Sequence, residues 1–256
     1  MARNQTLLKI MSDMRAEARL SLNSAHNIGD REAQITLIQR EQERLWSDFD
    51  WPHLIVDRYV PVEIGRRYYD PAVAYDESWA PRLDLTLERM ISVSVFDGGL
   101  WREMCYGIGD EHRYAHDSYA GATDWPARRW SRAEDDMVEV WPAPKIEGLA
   151  PDQQLTAPNM QGVLRFRGVR NLRPFRDDDD VADLDDRLLA LYCAGALLAE
   201  AGAKDAELKM ETAKRHYDRL KADQSQPSSF SIAGRDPLAL RHPQWGRGYG
   251  PRPRGL

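Results

Sequence analysis

The chain has 256 residues, of which 42% are hydrophobic and 30% are charged, and its mean hydropathy is −0.63. This composition argues against a membrane protein, because the longest apolar run, Leu188–Ala199, is too short to cross a bilayer. The residues after Met1 lack the apolar core of a secretion signal. Cys105 and Cys193 are too few for a disulfide framework, and we expect both to be buried, reduced thiols.

The formal net charge of −6 is unevenly distributed along the chain. Residues 224–256 contain five arginines and one aspartate, so this tail carries +4 and residues 1–223 carry −10. A basic tail on an acidic body indicates that the tail meets an acidic surface, on another copy or on another component of the same system.

Two helices are predicted before the first strand. The first covers residues 6–24, and its apolar stripe consists of Leu7, Ile10, Met11, Met14, Ala18 and Leu22. Asp30 is expected to cap the second helix, in which Ile35, Ile38, Leu45 and Phe49 face one way. Pro52 ends this helix, because the residue before a proline disfavours helical backbone angles.

Residues 54–172 are predicted to be mainly β-strands. Met90–Phe96 alternates apolar and polar residues, Asp97–Gly99 is a turn, and Leu100–Tyr106 is the returning strand. Further strands are expected at 125–131, 137–141 and 164–169. Five tryptophans are expected to fill the sheet core, since large flat side chains suit a small core: Trp79, Trp101, Trp125, Trp130 and Trp141.

An acidic run precedes a pair of antiparallel helices over residues 182–222. The run comprises Asp177, Asp178, Asp179, Asp180, Asp183, Asp185 and Asp186, and we expect it to be the solvated start of the first helix of the pair. That helix is apolar on nearly every side and therefore needs neighbours around most of its circumference. Gly202 is its expected C-terminal cap, and the second helix has its stripe at Ala206, Met210, Ala213, Tyr217 and Leu220.

These elements predict an α+β fold with three parts. Residues 1–50 and 177–223 form a discontinuous helical bundle, residues 51–176 form an inserted antiparallel β-domain, and residues 224–256 form an extended tail. The tail is rich in Pro, Gly, Ser and Arg, which is typical of a segment that orders only on a partner. Its anchors are expected to be Phe230, Ile232, Leu238, Leu240, Arg241, Trp245 and Tyr249.

No catalytic or nucleotide-binding motif is present in the sequence. The best metal candidate is His112 with His116 and the acidic residues around them, although a plain surface loop is the simpler interpretation. The aspartate run could bind calcium through its oxygens, but it lacks the glycine and the terminal glutamate of an EF-hand loop. Glu134, Asp135 and Asp136 are more simply interpreted as charged residues at the entrance of a strand than as one of the two catalytic carboxylates of a glycosidase. We therefore predict no catalytic, cofactor or metal site.

Four short motifs carry a resemblance to a known group. They are Leu45–Leu54 (LWSDFDWPHL), Arg67–Pro71 (RYYDP), Val138–Pro144 (VEVWPAP) and Asp183–Leu189 (DLDDRLL). By their order and spacing the chain resembles the head-to-tail adaptor (connector) proteins of tailed bacteriophages, in the group that includes podovirus tail tubular protein A. The likeness covers about residues 5–222, and the tail beyond Gln224 matches none of its motifs.

The resemblance implies a structural protein of the virion neck, assembled in the host cytoplasm. Such adaptors form a ring, commonly of twelve copies, between the portal protein ring and the tail or nozzle protein. DNA passes through the ring without specific binding, the helical bundle faces the portal, and a terminal extension often embraces it. We therefore expect residues 224–256 to dock on the portal. If Asp177–Asp180 face the channel, they repel phosphate and let DNA slide.

Two other functions stay open at the level of the sequence. A tail-associated peptidoglycan hydrolase would need two carboxylates that converge in a cleft. A nucleic-acid-binding protein would act through the arginines and glycines of the tail, around Gly246–Gly250. The charge of −10 on the body argues against the second function.

Overall fold

The computed structural model describes residues 4–22, 29–117, 120–148 and 161–224. Over these ranges the fold is mixed α+β, as predicted. The helices within them are α1 (Leu7–Glu17), α2 (Arg31–Asp48), α3 (Asp110–Ala115), α4 (Asp186–Glu200) and α5 (Ala206–Gln224). None of these helices combines the length and the apolar character that a bilayer crossing requires.

One antiparallel sheet has six strands. In spatial order they are β4 (Pro81–Arg82), β3 (Ala74–Tyr75), β1 (Ile55–Pro61), β12 (Val163–Arg170), β5 (Leu85–Asp97) and β6 (Leu100–Glu103). The central pair joins segments that are far apart in sequence, with Ile55 opposite Val169 and Pro61 opposite Val163. The predicted hairpin between β5 and β6 is present, and its turn contains Gly98 and Gly99 at positive φ.

A second sheet has four strands. Their order is β2 (Tyr68–Tyr69), β10 (Val138–Trp141), β9 (Arg129–Arg132) and β7 (Cys105–Tyr106), and the last pair is parallel. A short parallel pair joins β8 (Thr123–Asp124) to β11 (Ala143–Pro144). The predicted strands at 125–131 and 137–141 are thus shorter than expected, at Arg129–Arg132 and Val138–Trp141.

The predicted strand Leu100–Tyr106 is divided between the two sheets. Its first part, β6, pairs with β5, whereas its last two residues, β7, pair with β9. The chain changes sheets at Met104, which is buried among the apolar side chains of both sheets. Cys105 therefore lies at the outer edge of the second sheet and is exposed, so the prediction that both thiols are buried is wrong for Cys105 and confirmed for Cys193.

The first of two hydrophobic cores surrounds α4. Ten of the fifteen residues of this helix are buried, and both α1 and α2 pack against it. Gly202, at φ +66°, ends the helix as predicted. The N–H groups of Gly202 and Ala203 donate to the carbonyls of Ala199 and Leu198 at 3.0 and 2.9 Å, which is a Schellman motif.

The stripe of α5 turns toward the same core. Ala206, Ala213, Tyr217 and Leu220 are buried, as expected, while Met210 is 39% exposed. Met210 is nevertheless in close contact with Gly195 of α4, which has no side chain to hold it away.

The second core lies between the two sheets. Its large side chains include Tyr69, Trp130 and Phe166, and Trp125 packs against it. Trp130 and Trp141 are buried as expected, but Trp79 and Trp101 are only half-buried. Both cores belong to one compact unit, Met1–Asp223.

The first two helices differ from prediction at their ends. Helix α1 stops at Glu17 rather than near residue 24, because Arg19 adopts φ +59° and turns the chain away. Leu22 lies beyond this turn and is 61% exposed, so its assignment to the buried stripe is wrong. Asp30 does precede α2, but its side chain makes no capping hydrogen bond.

The two chain segments that flank residues 149–160 are both fastened to the end of β1. Val62 donates its N–H to the carbonyl of Gly162 at 2.9 Å and accepts the N–H of Gly148 at 2.7 Å. A Cβ on Gly148 would lie 2.2 Å from the Gly162 carbonyl oxygen, so only glycine permits this approach.

Candidate functional site

The structure divides the acidic run into two parts with different surroundings. The first part, Asp177–Asp180, lies beside the start of α1. There the backbone N–H groups of Leu7 and Leu8 donate to the carbonyls of Asp180 and Asp178 at 2.7 and 3.1 Å. The segment thus provides acceptors for N–H groups that the first turn of a helix leaves without partners.

The side chains of this acidic segment are only partly engaged. Asp178 pairs with Arg31 of α2. The Asp180 carboxylate accepts the backbone N–H groups of Asp177 and Arg176, which lowers the Asp180 pKa. Asp177 and Asp179 are exposed and form no ion pair within the described ranges. Among the described residues, the segment therefore offers two unpaired carboxylates to solvent.

The second part of the run is buried, so the prediction of a solvated helix start is wrong there. Asp183, Asp185 and Asp186 are 5%, 2% and 3% exposed. Asp185 caps α4 by accepting the N–H of Leu188 at 2.9 Å and lies 3.0 Å from His216 Nε2 of α5. These three carboxylates are buried because neighbouring segments surround α4 on nearly all sides, including at its first turn.

Asp183 joins the end of the main sheet to the helices. Arg170, at the end of β12, and Arg173 both donate to its fully buried carboxylate, at distances of 2.5 to 3.3 Å. Burial by itself would raise the Asp183 pKa, but the hydrogen bonds from the two arginines outweigh burial and hold the pKa below its usual value. The Asp183 carbonyl lies 2.8 Å from His53 Nε2. The motifs Leu45–Leu54 and Asp183–Leu189 therefore touch each other.

Arg89 of β5 makes a second connection between the sheet and the helices. Its guanidinium donates to the carbonyls of Trp46, Ser47 and Phe49 at 2.9, 3.0 and 3.3 Å. It also pairs with Asp50 at 2.5 Å and lies over the Trp46 ring. Arg89 thus satisfies the carbonyl groups that α2 leaves open at its C-terminus.

The motif Val138–Pro144 contributes the floor of an open groove in the second sheet. Glu139 of β10 is 4% exposed and accepts hydrogen bonds from Arg113 of α3 at 3.1 and 3.5 Å and from the Ser131 hydroxyl at 3.4 Å. Arg67 lies 3.6 Å from the same carboxylate. One buried carboxylate thus lies beside two guanidinium groups at the floor.

Aromatic rings hold these guanidinium groups in place. Arg67 and Arg113 both lie over the Trp141 indole, at 5.7 and 5.5 Å from its centre, and Arg67 also lies over Tyr68. The Trp141 Nε1 donates to the carbonyl of His112 at 2.9 Å, which fixes α3 against the sheet. Positive charge in this groove is therefore preorganised rather than carried on free side chains.

The walls of the groove add further charge and exposed rings. The groove has a volume of about 1490 Å³ and is open to solvent. Arg66 and Arg132 lie on its walls together with Glu134 and Asp135, and Tyr106 is 62% exposed there. We name the surface formed by Arg66, Arg67, Arg113, Arg132 and Glu139 the arginine groove.

The arginine groove was not predicted from the sequence. Its residues come from the segment before β2, from two strands and from a helix, spread over more than 70 positions, and no local spacing marks them. One signal was available in retrospect: Glu139 is a lone acidic residue in the apolar strand Val138–Trp141, and a buried carboxylate needs cationic partners.

The metal and catalytic candidates are not brought together. His112 and His116 belong to α3 or its end rather than to a plain loop, and they face different carboxylates, those of Glu111 and Asp124. No group of three or more His, Cys, Asp or Glu residues in the described part of the chain is arranged to hold a metal ion. Glu134–Asp136 form a single turn of 3-10 helix at the rim of the arginine groove, directly before β10.

The predicted tail anchors lie outside the described residues, and their role stays a prediction. They are Phe230, Ile232, Leu238, Leu240, Arg241, Trp245 and Tyr249. Neither a scan against protein-family models nor a search of curated proteins finds a match to this chain.

Proposed function

We propose that this chain is a structural virion protein, the head-to-tail adaptor of a tailed bacteriophage. In this proposal twelve copies form a ring in the virion neck, which docks beneath the portal and links the capsid to the tail or nozzle protein. DNA passes through the ring, and the chain acts without a cofactor and without catalysing a reaction. The ring assembles in the host cytoplasm.

One observation carries the proposal. Two of the motifs on which the resemblance rests are 130 positions apart in sequence, and they touch through His53 and Asp183. A chance likeness of short motifs gives no reason for them to meet in space. If the chain shares the architecture of the adaptors, motifs that lie far apart in sequence are expected to meet where the helices join the sheet.

The finer architecture belongs to the same proposal. Helices α1, α2, α4 and α5 are taken as a discontinuous bundle that faces the portal, and residues 51–176 as a β-domain inserted into it. The packing of α1 and α2 on α4 supports this arrangement. The exposed carboxylates of Asp177 and Asp179 support a role of Asp177–Asp180 at the channel or at an acidic interface, because uncompensated negative charge repels DNA phosphate.

The tail is assigned to portal docking. It bears +4 while the rest of the chain bears −10, and apolar anchors are spread along it. A segment of this kind folds on its partner and covers a large surface when it does so. It leaves the described fold at Gln224, the last residue of α5.

Electron microscopy of the chain mixed with its portal tests the proposal, with a twelve-fold ring beneath the portal as the expected result. Deleting residues 224–256 should abolish docking and leave the circular dichroism spectrum and thermal unfolding of residues 1–223 unchanged, because the deletion removes only the last residue of α5. A chain with Phe230, Ile232, Trp245 and Tyr249 all changed to alanine should dock as poorly as the truncated chain. Normal docking by the truncated chain would contradict the assignment of the tail.

A further inference from the structure

We infer that the outer edge of β6 is a docking site for an added strand, and that residues 228–233 of a neighbouring copy occupy it. The inference rests on the proposed function, since a ring joins each copy to the next through a heterologous contact. Such a contact needs two different surfaces on every copy. In this inference one copy supplies the first part of its tail, and its neighbour supplies the edge of its main sheet.

The backbone of β6 has an open side. This strand is the last of the six-stranded sheet, and no strand in the described part of the chain pairs with its outer side. The N–H of Met104 donates to the carbonyl of Val93 at 2.8 Å, and antiparallel strands exchange such bonds at every second residue. The backbone N–H and carbonyl groups of Trp101 and Glu103 therefore point away from β5, where an added strand can bind them.

The two edges of this sheet differ in their protection against strand addition. At the opposite edge β4 has only two residues, and one of them, Pro81, has no N–H to donate. The other, Arg82, forms an ion pair with Asp76. By contrast, β6 has four residues, contains no proline and keeps its register with β5 without a bulge. The sheet is therefore more open to strand addition at β6 than at β4.

Trp101 gives the edge an apolar surface. Its ring lies 5.2 Å from the Phe96 ring and 5.9 Å from the Tyr59 ring, measured between ring centres, and the Arg165 guanidinium lies over it. Phe96 and Tyr59 are buried, whereas Trp101, at the end of this row of rings, is only half-buried. A strand added to β6 would cover the remaining exposed side of Trp101, and an aromatic side chain opposite it would stabilise the pair.

The first part of the tail has the sequence of such a strand. In residues 228–233 (SSFSIA) the apolar side chains of Phe230 and Ile232 alternate with serine, which is the pattern of a half-buried strand. Pro227 precedes this stretch and Gly234 follows it, as is typical of the limits of a strand. The stretch therefore matches β6 in backbone preference and offers Phe230 as a partner for the Trp101 ring.

Electrostatic forces favour the same occupant. Glu103 is exposed and forms no ion pair across the described ranges, whereas Arg102 is paired with Asp97 at 3.3 Å. The tail carries +4, and Arg235 lies just beyond its strand-like stretch. A second copy of β6 is a poorer occupant, because an antiparallel pair centred on Arg102 or on Glu103 places like charges opposite each other.

Two proline variants of the full chain test the inference, because each destroys one of the two surfaces. Glu103→Pro removes an outward N–H from β6, and Ser231→Pro with Ile232→Pro removes N–H groups from both sides of the added strand. Each variant alone should self-associate at least about tenfold more weakly than the original chain in sedimentation experiments. A mixture of the two should form pairs with one copy of each, because one variant keeps the strand and the other keeps the edge.

Matched controls separate these effects from unfolding and from loss of charge. Glu103→Ala keeps the backbone N–H and should associate within about fivefold of the original chain, since an exposed charge contributes little. Ala239→Pro with His242→Pro places two prolines elsewhere in the tail and should leave association unchanged. Glu103→Pro should keep the circular dichroism spectrum of the original chain, because the N–H that it removes points away from β5.

Hydrogen exchange measures the contact without any change at β6. In the associated original chain, the N–H groups of Trp101 and Glu103 should exchange at least about tenfold more slowly than in the chain with prolines at 231 and 232. Equal exchange in the two chains overturns the inference, and so does the absence of association in both the original chain and the mixture. An original chain that stays monomeric while the mixture forms pairs would show that the tail covers the edge of its own copy, which also overturns the inference.

The portal separates this inference from the proposed function. If the Glu103→Pro chain forms rings on the portal as readily as the original chain, the inference is wrong and the proposed function stands. If the chain associates through β6 but forms no ring on the portal, the proposed function is wrong and the contact at β6 stands.

Discussion

Asp183 shows how a single carboxylate ties distant parts of this chain together. Its side chain is completely buried and receives Arg170 and Arg173. Its backbone N–H donates to the side chain of Gln42 in α2 at 3.2 Å, and its carbonyl meets His53. Every polar group of this residue therefore holds a different segment in place.

Replacing Asp183 by asparagine should destabilise the fold by about 3 kcal/mol, because two guanidinium groups would lose their buried counter-charge. Urea unfolding at neutral pH measures this change. Asp179→Asn is the control and should change the free energy of unfolding by less than about 0.5 kcal/mol, since Asp179 is exposed and unpaired in the described ranges.

The same residue predicts a pH dependence with a definite sign. The Asp183 pKa is lowered in the folded state, so its contribution is present above the unfolded-state pKa of about 4 and is lost as the pH falls toward the folded-state value. The difference in stability between the original chain and Asp183→Asn should therefore shrink from pH 7 to pH 3. A difference that stays constant over this range would mean that Asp183 is not held as its charged form.

At the scale of elements, the close contact between β12 and β5 depends on one glycine. The register between these strands shifts on both sides of Gly168. A Cβ on Gly168 would lie 2.8 Å from the carbonyl oxygen of Arg89 and 2.7 Å from Leu85 Cδ1. The backbone oxygen cannot move away without displacing β5, so the two strands approach only because no side chain stands between them.

Gly168→Ala should therefore destabilise the fold by about 1 to 3 kcal/mol, the usual range for forcing a methyl group into a packed site. Thermal unfolding followed by circular dichroism measures this loss. Gly29→Ala, where a Cβ would meet nothing within 4 Å, should leave the unfolding temperature nearly unchanged. Equal effects of the two substitutions would show that the contact at Gly168 is not specific.

The elements with strong periodicity were predictable, whereas the end of α1 and the pairing of strands that are distant in sequence were not. The apolar pattern of α4 and α5 and the glycine after α4 identify both helices, and the alternation in β5 identifies a strand. The end of α1 was missed because Arg19 takes a left-handed conformation that residue type does not reveal. The pairing of β1 with β12 and the assembly of the arginine groove depend on contacts between distant residues, which no local pattern encodes.

At the scale of the whole molecule, a few polar contacts connect the two cores. Arg89 connects β5 to the end of α2, and the Trp46 Nε1 of α2 donates to the carbonyl of Arg170 at 3.0 Å. Both bonds run between the sheet and the helices. Opening of the helical core at that joint would break these contacts with the sheet.

Residues 1–223 should accordingly unfold in a single transition, with tryptophan fluorescence and far-ultraviolet circular dichroism giving the same midpoint. Arg89→Ala should lower the free energy of unfolding by about 2 to 4 kcal/mol, since several hydrogen bonds from a charged, mostly buried donor are lost. Arg167→Ala, which removes an exposed arginine 3.9 Å from Asp57, should change it by less than about 1 kcal/mol. Separate midpoints in the original chain would contradict this coupling.

The clasp formed by Val62 with Gly148 and Gly162 has a practical use. These hydrogen bonds hold the two ends of the stretch 149–160 close together. Residues inserted there therefore lengthen a loop whose ends are already joined, and each doubling of the loop length costs only about 0.6 kcal/mol. An affinity epitope or a gold-binding sequence grafted between residues 149 and 160 should leave the melting temperature within a few degrees of its original value. Such a graft would mark every copy in a micrograph while the chain termini stay free.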